Sequence, residues 1–194
     1  MSVLPGAPSV RVAILPTRCA VARCARALNA NVMRPDPRYP FSPRSTAQLR
    51  PGQFWAVPMK SGGFACGRIL QLRGAEMPTK TRAFFGGLHN WRGSALPTQT
   101  DIADAGFVAY GVMHVKSITY RGGAVLGERP LHLDNHELPA LLSAHGGPGT
   151  MVLQGAEPVR EALVSEWGTL PVLEFWGYDF IAELAEARLN AKAA

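Results

Sequence analysis

Two apolar segments joined by a glycine-containing turn constrain the fold of this chain more than any other feature. Gln53–Pro58 is rich in aromatic and β-branched side chains, which favour a strand, and its final proline is typical of a strand end or an edge strand. Residues 60–63 supply glycines that can take the positive φ of a tight hairpin. Residues 64–72 then alternate their side chains between two faces. The sequence therefore predicts a domain that opens with an antiparallel β-hairpin.

The rest of the chain shows shorter patterns of the same kind. Apolar runs bounded by turn residues predict strands at 81–88, 107–118, 125–133 and 150–154, and short helices at 138–145 and 158–167. From Asp179 onward, apolar residues recur at helical spacing, which predicts an amphipathic C-terminal helix. The expected fold class is α+β: a mostly antiparallel, strongly curved β-sheet that could close into a barrel-like form, with two or three short helices.

Residues 1–48 differ in composition from the rest of the chain. They contain seven prolines and no sustained period beyond a short apolar stretch, which predicts a disordered or weakly helical extension. Residues 1–50 carry eight arginines and one acid, a net charge of +7, whereas the remaining 144 residues carry 12 basic and 13 acidic groups, a net charge of −1. A solvated tail, a removed transit peptide and a start codon placed too far upstream all fit this extension. Residues 49–190 are predicted to form one domain.

Length and cysteine content narrow the class of protein. The 194 residues suffice for one self-supporting core, and no apolar run approaches the roughly 18–20 residues that cross a bilayer. The three cysteines, Cys19, Cys24 and Cys66, form no disulfide framework and suit a reducing cytoplasm. Because Cys19 and Cys24 have no further cysteine or histidine close by, we expect no metal site there. The chain has neither a G-x-x-x-x-G-K-[ST] loop nor a G-x-G-x-x-G element that follows a strand, so we expect no cofactor.

Two histidine-containing segments resemble parts of metal or catalytic sites. His132 and His136 have the i, i+4 spacing of zinc ligands on a helix, but Pro139 and the turn residues between them favour surface or capping histidines. Residues 145–149 read His-Gly-Gly-Pro-Gly and match an oxyanion loop, yet the chain has no G-x-S-x-G nucleophile motif. A glycine turn that ends a helix is the simpler interpretation. We therefore expect no catalytic residues.

Three residues are candidates for contact with a protein partner. Arg68 is predicted on the same strand face as Phe64 and Leu70, where it snorkels, pairs with an acid or faces a partner. Trp91 and Arg92 are predicted in a loop, and both residue types anchor protein interfaces. For Trp91, a position as a lid over the core is the favoured alternative.

The predicted hairpin also resembles the start of the immunity protein 26 family. Members begin with a strand of the form G-[DQ]-hydrophobic-hydrophobic-x-[IV]-P, followed by a short turn and a strand that ends G-[RK]-[VI]-[LI]. The matching positions in this chain are Gly52, Phe54, Pro58, Gly67 and Arg68. A weaker similarity in spacing continues through residues 107–118 and 129–131. The arginine-rich extension and the part after Gly149 lie outside the pattern.

This resemblance implies an α+β domain that is encoded beside a bacterial polymorphic toxin and neutralises that toxin by binding it, without catalysis. We expect a cytoplasmic protein whose partner is the cognate toxin domain, bound through a β-sheet face and adjoining loops, with no membrane contact. Nucleic acid, bound through the arginine-rich extension, is a less favoured partner. An RNA-cleaving toxin of the small-barrel type is a further alternative, although the Arg-Pro expected after its hairpin strand is absent.

Overall fold

The computed structural model describes residues 44–77, 82–121, 123–134 and 136–190. Most of the predicted N-terminal extension, residues 1–43, lies outside this part of the chain. The described chain starts with a short 3-10 helix, Thr46–Gln48, in which the Ala47 amide donates to the Ser45 hydroxyl. Because Thr46 is already buried, packing begins slightly before the predicted domain start at residue 49.

Nine strands are present in the described part of the chain. They are β1 Gln53–Pro58, β2 Phe64–Gln71, β3 Ala83–Gly93, β4 Phe107–His114, β5 Val125–Glu128, β6 Ala140–Leu142, β7 Met151–Gln154, β8 Glu157–Glu161 and β9 Phe175–Trp176. Six of them form one sheet in the order β5-β1-β2-β3-β4-β9, and the other three form a second sheet in the order β6-β7-β8. All the pairs are antiparallel except β4 with β9.

The predicted opening hairpin is confirmed. Phe54 pairs with Arg68 and Pro58 pairs with Phe64, so β1 and β2 run antiparallel over their whole length. The turn is closed by a hydrogen bond from the Met59 amide to the Gly63 carbonyl oxygen at 3.1 Å. Gly63 has a φ of +78°, a conformation that side chains with a Cβ rarely take, which is why a glycine stands at this turn.

The six-stranded sheet is covered on both faces. On one face, Trp55 and Ile69 pack against Ile181 and Ala185 of the C-terminal helix. On the other face, Leu70, Phe85 and Val112 of the large sheet pack against Leu141 and Leu153 of the small sheet. The domain therefore has three layers, and the expected binding of a partner through a β-sheet face and adjoining loops stays a prediction.

Two α-helices occur in the described residues, α1 Lys116–Thr119 and α2 Phe180–Asn190, and α2 confirms the predicted C-terminal helix. The helices predicted at 138–145 and 158–167 are wrong. Residues 140–142 form β6 and residues 157–161 form β8, because both pair with β7. β7 and β8 form a hairpin around Gly155 and Ala156, and β6 pairs with β7 across residues 143–150. Strand pairing overrides the helical spacing of these short segments. Among the described residues, no helix is both long enough and apolar enough to span a membrane.

The α+β class with mostly antiparallel sheets is confirmed, but the strongly curved, barrel-like form is not shown. Neither sheet closes or curls strongly within the described residues. The two sheets are joined instead by residues 171–174. The Leu142 amide donates to the Pro171 carbonyl oxygen on one side, and the Val112 amide donates to the Glu174 carbonyl oxygen on the other, each at 2.8 Å.

Candidate functional site

Arg68 is a fully buried cation at the centre of the six-stranded sheet. It exposes 0 % of its surface, and its Nη1 donates to Asp134 Oδ2 at 2.7 Å. Its Nη2 donates to the backbone carbonyl oxygen of Arg129. Asp134 accepts a further hydrogen bond from Arg129 Nε at 2.6 Å, so one carboxylate joins two guanidinium groups. This network ties β2 to the segment that follows β5.

The pKa of Asp134 follows from these contacts. Burial opposes ionisation and raises the pKa of the carboxyl, but hydrogen bonds from Arg68 and Arg129 outweigh burial and lower the pKa below its usual value. Arg68 was expected to snorkel, to pair with an acid or to face a partner, and the structure shows that it pairs with an acid. The expectation that Arg68 contacts a partner is therefore wrong, because a side chain without exposed surface cannot reach one.

A second buried polar side chain, His89, lies next to Arg68. Its Nδ1 lies 2.7 Å from the Ala105 carbonyl oxygen, and since a carbonyl only accepts, Nδ1 carries the proton of the neutral ring. Burial lowers the pKa of His89 to about 4, and the positive charge of Arg68 acts in the same direction. His89 is therefore neutral at physiological pH and holds its ring against Phe107 at a centroid distance of 4.2 Å.

His136 completes this polar cluster, which we define as Arg68, His89, Arg129, Asp134 and His136. The His136 ring lies 6.1 Å from the His89 ring, and its pKa is also lowered, first by burial and then by Arg68. His132 does not join it in a zinc site, because the 3-10 helix Leu131–Asp134 ends between the two histidines. In the part of the chain that is described, no group of three or more suitable side chains could hold a metal ion.

Enclosure limits what the polar cluster can do chemically. Arg68 and His89 have no exposed surface, and Asp134 is occupied by two guanidinium groups. Cys66, on the same face of β2, is a free and fully buried thiol whose pKa is raised by burial. A raised pKa keeps the thiol neutral and therefore a poor nucleophile. Arg129 and His136 are only half-buried, so the polar cluster reaches the surface at these two residues.

Trp91 and Arg92 lie at the end of β3, not in the predicted loop. Trp91 is half-buried and packs on the small cluster of Phe54, Cys66 and Ile102, as expected for a lid over the core. Arg92 is exposed, and its guanidinium donates to Asn190 Oδ1 at the end of α2 and to the Ser61 hydroxyl at 3.4 Å. Trp91 thus packs beside Phe54, the residue that pairs with Arg68, whereas Arg92 contacts the end of α2 and the β1–β2 turn. Their role as partner contacts stays a prediction.

The four remaining residues of the family-like pattern occupy packed positions. A Cβ at Gly52 would lie 2.6 Å from the Arg129 carbonyl oxygen, and one at Gly67 would overlap the Trp55 ring. Phe54 is buried on the face opposite Trp55, and Pro58 ends β1. Gly52, Phe54, Pro58 and Gly67 therefore shape the hairpin and its contact with residues 129–134.

A concave apolar surface beside residues 171–176 was not predicted from the sequence. Two neighbouring cavities of about 710 and 440 Å³ share the lining residues Pro171, Val172, Glu174 and Phe180. Phe175 and Phe180 are 56 % and 38 % exposed although they are large and apolar. We call these two cavities with Phe175 and Phe180 the aromatic groove. The signal in the sequence is the concentration of aromatic residues at 175–180, namely Phe175, Trp176, Tyr178 and Phe180.

His145, from the oxyanion-like segment, lines the larger cavity and is exposed. The glycines that follow it, Gly146, Gly147 and Gly149, all have positive φ, so this segment is a turn. The element directly before this segment is strand β6, which ends at Leu142, and not the predicted helix. The segment therefore shapes one wall of the aromatic groove.

The described chain is thus an α+β protein with an enclosed polar cluster and an exposed aromatic groove. Comparisons with protein-family models, with curated proteins and with solved structures found no match to this chain.

Proposed function

We propose that this chain is an immunity-type protein, which binds a cognate bacterial toxin domain and neutralises it without catalysis, in the cytoplasm. The observation that carries the proposal is the buried link from Arg68 to Arg129 and Asp134. It connects two of the three parts of the chain that resemble the immunity protein 26 family, the hairpin and residues 129–131; the third part is residues 107–118. Arg68 of the hairpin and Arg129 are therefore in contact, and the hairpin and residues 129–131 pack against each other.

The distribution of polar and apolar groups supports a binding role over a catalytic one. Three of the five titratable groups of the polar cluster, Arg68, His89 and Asp134, are buried, and Arg129 and His136 are half-buried. Large apolar side chains are instead exposed at the aromatic groove, and exposed apolar patches commonly mark surfaces for protein partners. An RNA-cleaving enzyme would need the opposite arrangement, with an acid, a base or an arginine open to the scissile phosphate.

Co-expression with the neighbouring toxin candidate tests the proposal. The C-terminal domain encoded by the adjacent upstream gene is expressed in a bacterial host with and without this protein. We expect growth arrest by that domain alone, and rescue together with co-purification when both are present. Absence of both rescue and co-purification, or an upstream gene of ordinary metabolism, would overturn the proposal.

A second candidate function is nucleic-acid binding by the N-terminal extension, favoured by the net charge of +7 over residues 1–50. Removal of residues 1–43 distinguishes nucleic-acid binding from toxin binding. If the full chain binds RNA or DNA in a salt-sensitive way and the shortened chain does not, the extension is the nucleic-acid site. If the full chain binds neither, this candidate fails.

A further inference from the structure

The aromatic groove is built on a backbone that is held from both sides. The Leu142 amide donates to Pro171 and the Leu173 amide donates to Leu142, which fixes residues 171–173 to the small sheet. Val112 and Met113 of β4 pair with Phe175 and Trp176, which fixes the next residues to the large sheet. A rigid platform lowers the entropy lost when a partner binds.

Apolar side chains project from this platform. Phe175 stands on β9 and Phe180 begins α2, and the Phe180 ring lies 6.0 Å from the ring of the buried Trp176. The larger cavity beside them has a volume of about 710 Å³, enough for one or two side chains of another protein. Aromatic residues beside a pocket are typical of the residues that dominate the binding energy of interfaces.

The larger cavity of the aromatic groove is lined by an acid. Glu174 lines both cavities, and among the described lining residues no arginine or lysine lines the larger one, whereas Arg188 lines the smaller one. The described residues 151–190, the part of the chain that contains most of the groove, carry seven acidic and two basic side chains, a net charge of −5. The larger cavity therefore favours a cationic group of a partner.

We propose that the aromatic groove is the surface that binds the toxin, and that the toxin presents a cationic face with an apolar side chain that enters the larger cavity. This inference rests on the proposed function. The apolar side chain of the toxin contacts Phe175 and Phe180, and the basic groups of the toxin face Glu174.

Binding to the purified C-terminal domain of the adjacent upstream gene tests this surface. We expect Phe175→Ala with Phe180→Ala to weaken binding by at least about thirtyfold, since buried aromatic anchors carry such effects. The matched control is Leu126→Ala with Leu133→Ala, which removes exposed apolar side chains at and after β5, the opposite edge of the sheet. Melting temperatures of both double variants check that the fold is intact.

The charge of the partner is tested separately. Glu174 accepts a hydrogen bond from Trp176 Nε1 at 2.8 Å. Glu174→Gln keeps an oxygen that can accept this bond but removes the negative charge. We expect the association rate to fall by about threefold at low salt, and the difference to vanish at high salt. Glu137→Gln, an exposed acid that does not line the groove, is the control and should leave the rate unchanged.

Each outcome has one meaning. If the wild-type chain binds and the Phe175 and Phe180 variant binds equally well, this inference is overturned and the proposed function stands. If only the Leu126 and Leu133 variant loses binding, the interface lies at β5, and this inference is overturned as well. If sedimentation shows a dimer that the groove variant dissociates, the occupant is a second copy of this chain, which also overturns it. If the wild-type chain does not bind the domain at all, the proposed function and this inference fall together.

Discussion

Arg68 Nη1 lies 2.7 Å from Asp134 Oδ2, and both side chains are completely shielded from solvent. The two residues are 66 positions apart in the sequence, so this ion pair connects the opening hairpin to the segment after β5. Moving two charges from water into a protein interior is costly, and only close pairing with full hydrogen bonding offsets that cost. Replacement of Arg68 or Asp134 should therefore lower the free energy of unfolding much more than replacement of a residue in an exposed ion pair.

Asp134→Asn tests this relationship. The variant leaves the Arg68 guanidinium buried without a counter-charge, and we expect the free energy of unfolding to fall by roughly 3–5 kcal/mol. Urea denaturation followed by tryptophan fluorescence measures the change. Glu166→Gln, which removes the charge from the exposed pair with Arg160, is the control and should give a much smaller loss. Equal losses in the two variants would contradict the structural role of the buried pair.

Stability should fall in acid because of His89. The pKa of His89 is about 4 in the folded protein and about 6.5 in the unfolded chain, so the unfolded chain binds more protons between these values. The free energy of unfolding therefore decreases as the pH falls from 6.5 to 4, by on the order of 3 kcal/mol. Below this window, protonation of Asp134 removes further stability, since its pKa is lowered in the folded state.

Denaturation midpoints measured over this pH range check the effect. His89→Gln should flatten the pH dependence, even if it lowers stability at neutral pH. His132→Gln changes an exposed histidine and should leave the slope as it is in the wild-type protein. A slope that survives in the His89 variant would assign the acid sensitivity to other groups.

Gly67→Ala is expected to destabilise the hairpin. A Cβ at this position would overlap the indole ring of Trp55, which is itself fixed edge-on against Phe84 at a centroid distance of 5.6 Å. Overpacking of this kind costs about 1–3 kcal/mol. Gly106→Ala serves as the comparison, because a Cβ at Gly106 meets nothing within 4 Å. Thermal melts of the two variants should differ clearly, and similar melts would contradict the close contact at Gly67.

The thiol of Cys66 should be unreactive in the native protein. Its pKa is raised by burial, and its side chain has no exposed surface, so both the thiolate and the access that alkylation requires are lacking. In a variant with Cys19→Ser and Cys24→Ser, only Cys66 can react. We expect labelling by a maleimide to follow global unfolding across a urea titration. Fast labelling of the native protein would show that this part of the sheet opens locally.

The sequence predicted those elements whose signals are local. The opening hairpin follows from the alternation around Arg68 and the glycines at 62–63, and α2 follows from its 3.6-residue apolar spacing. Strand β3 was predicted too short, so that Trp91 and Arg92 were expected in a loop. The small sheet was missed because β6 and β8 are three and five residues long and acquire their conformation only by pairing with β7.

The sequence by itself determined the α+β class, the hairpin with its family-like residues, the C-terminal helix and the concentration of basic charge in residues 1–50. These depend on residues that are neighbours along the chain. Only the tertiary structure decided that Arg68 is buried against Asp134, that both faces of the large sheet are covered and that Phe175 and Phe180 stand beside a cavity. Burial, ion pairing and exposure depend on residues that are distant in sequence and meet only when the layers pack together.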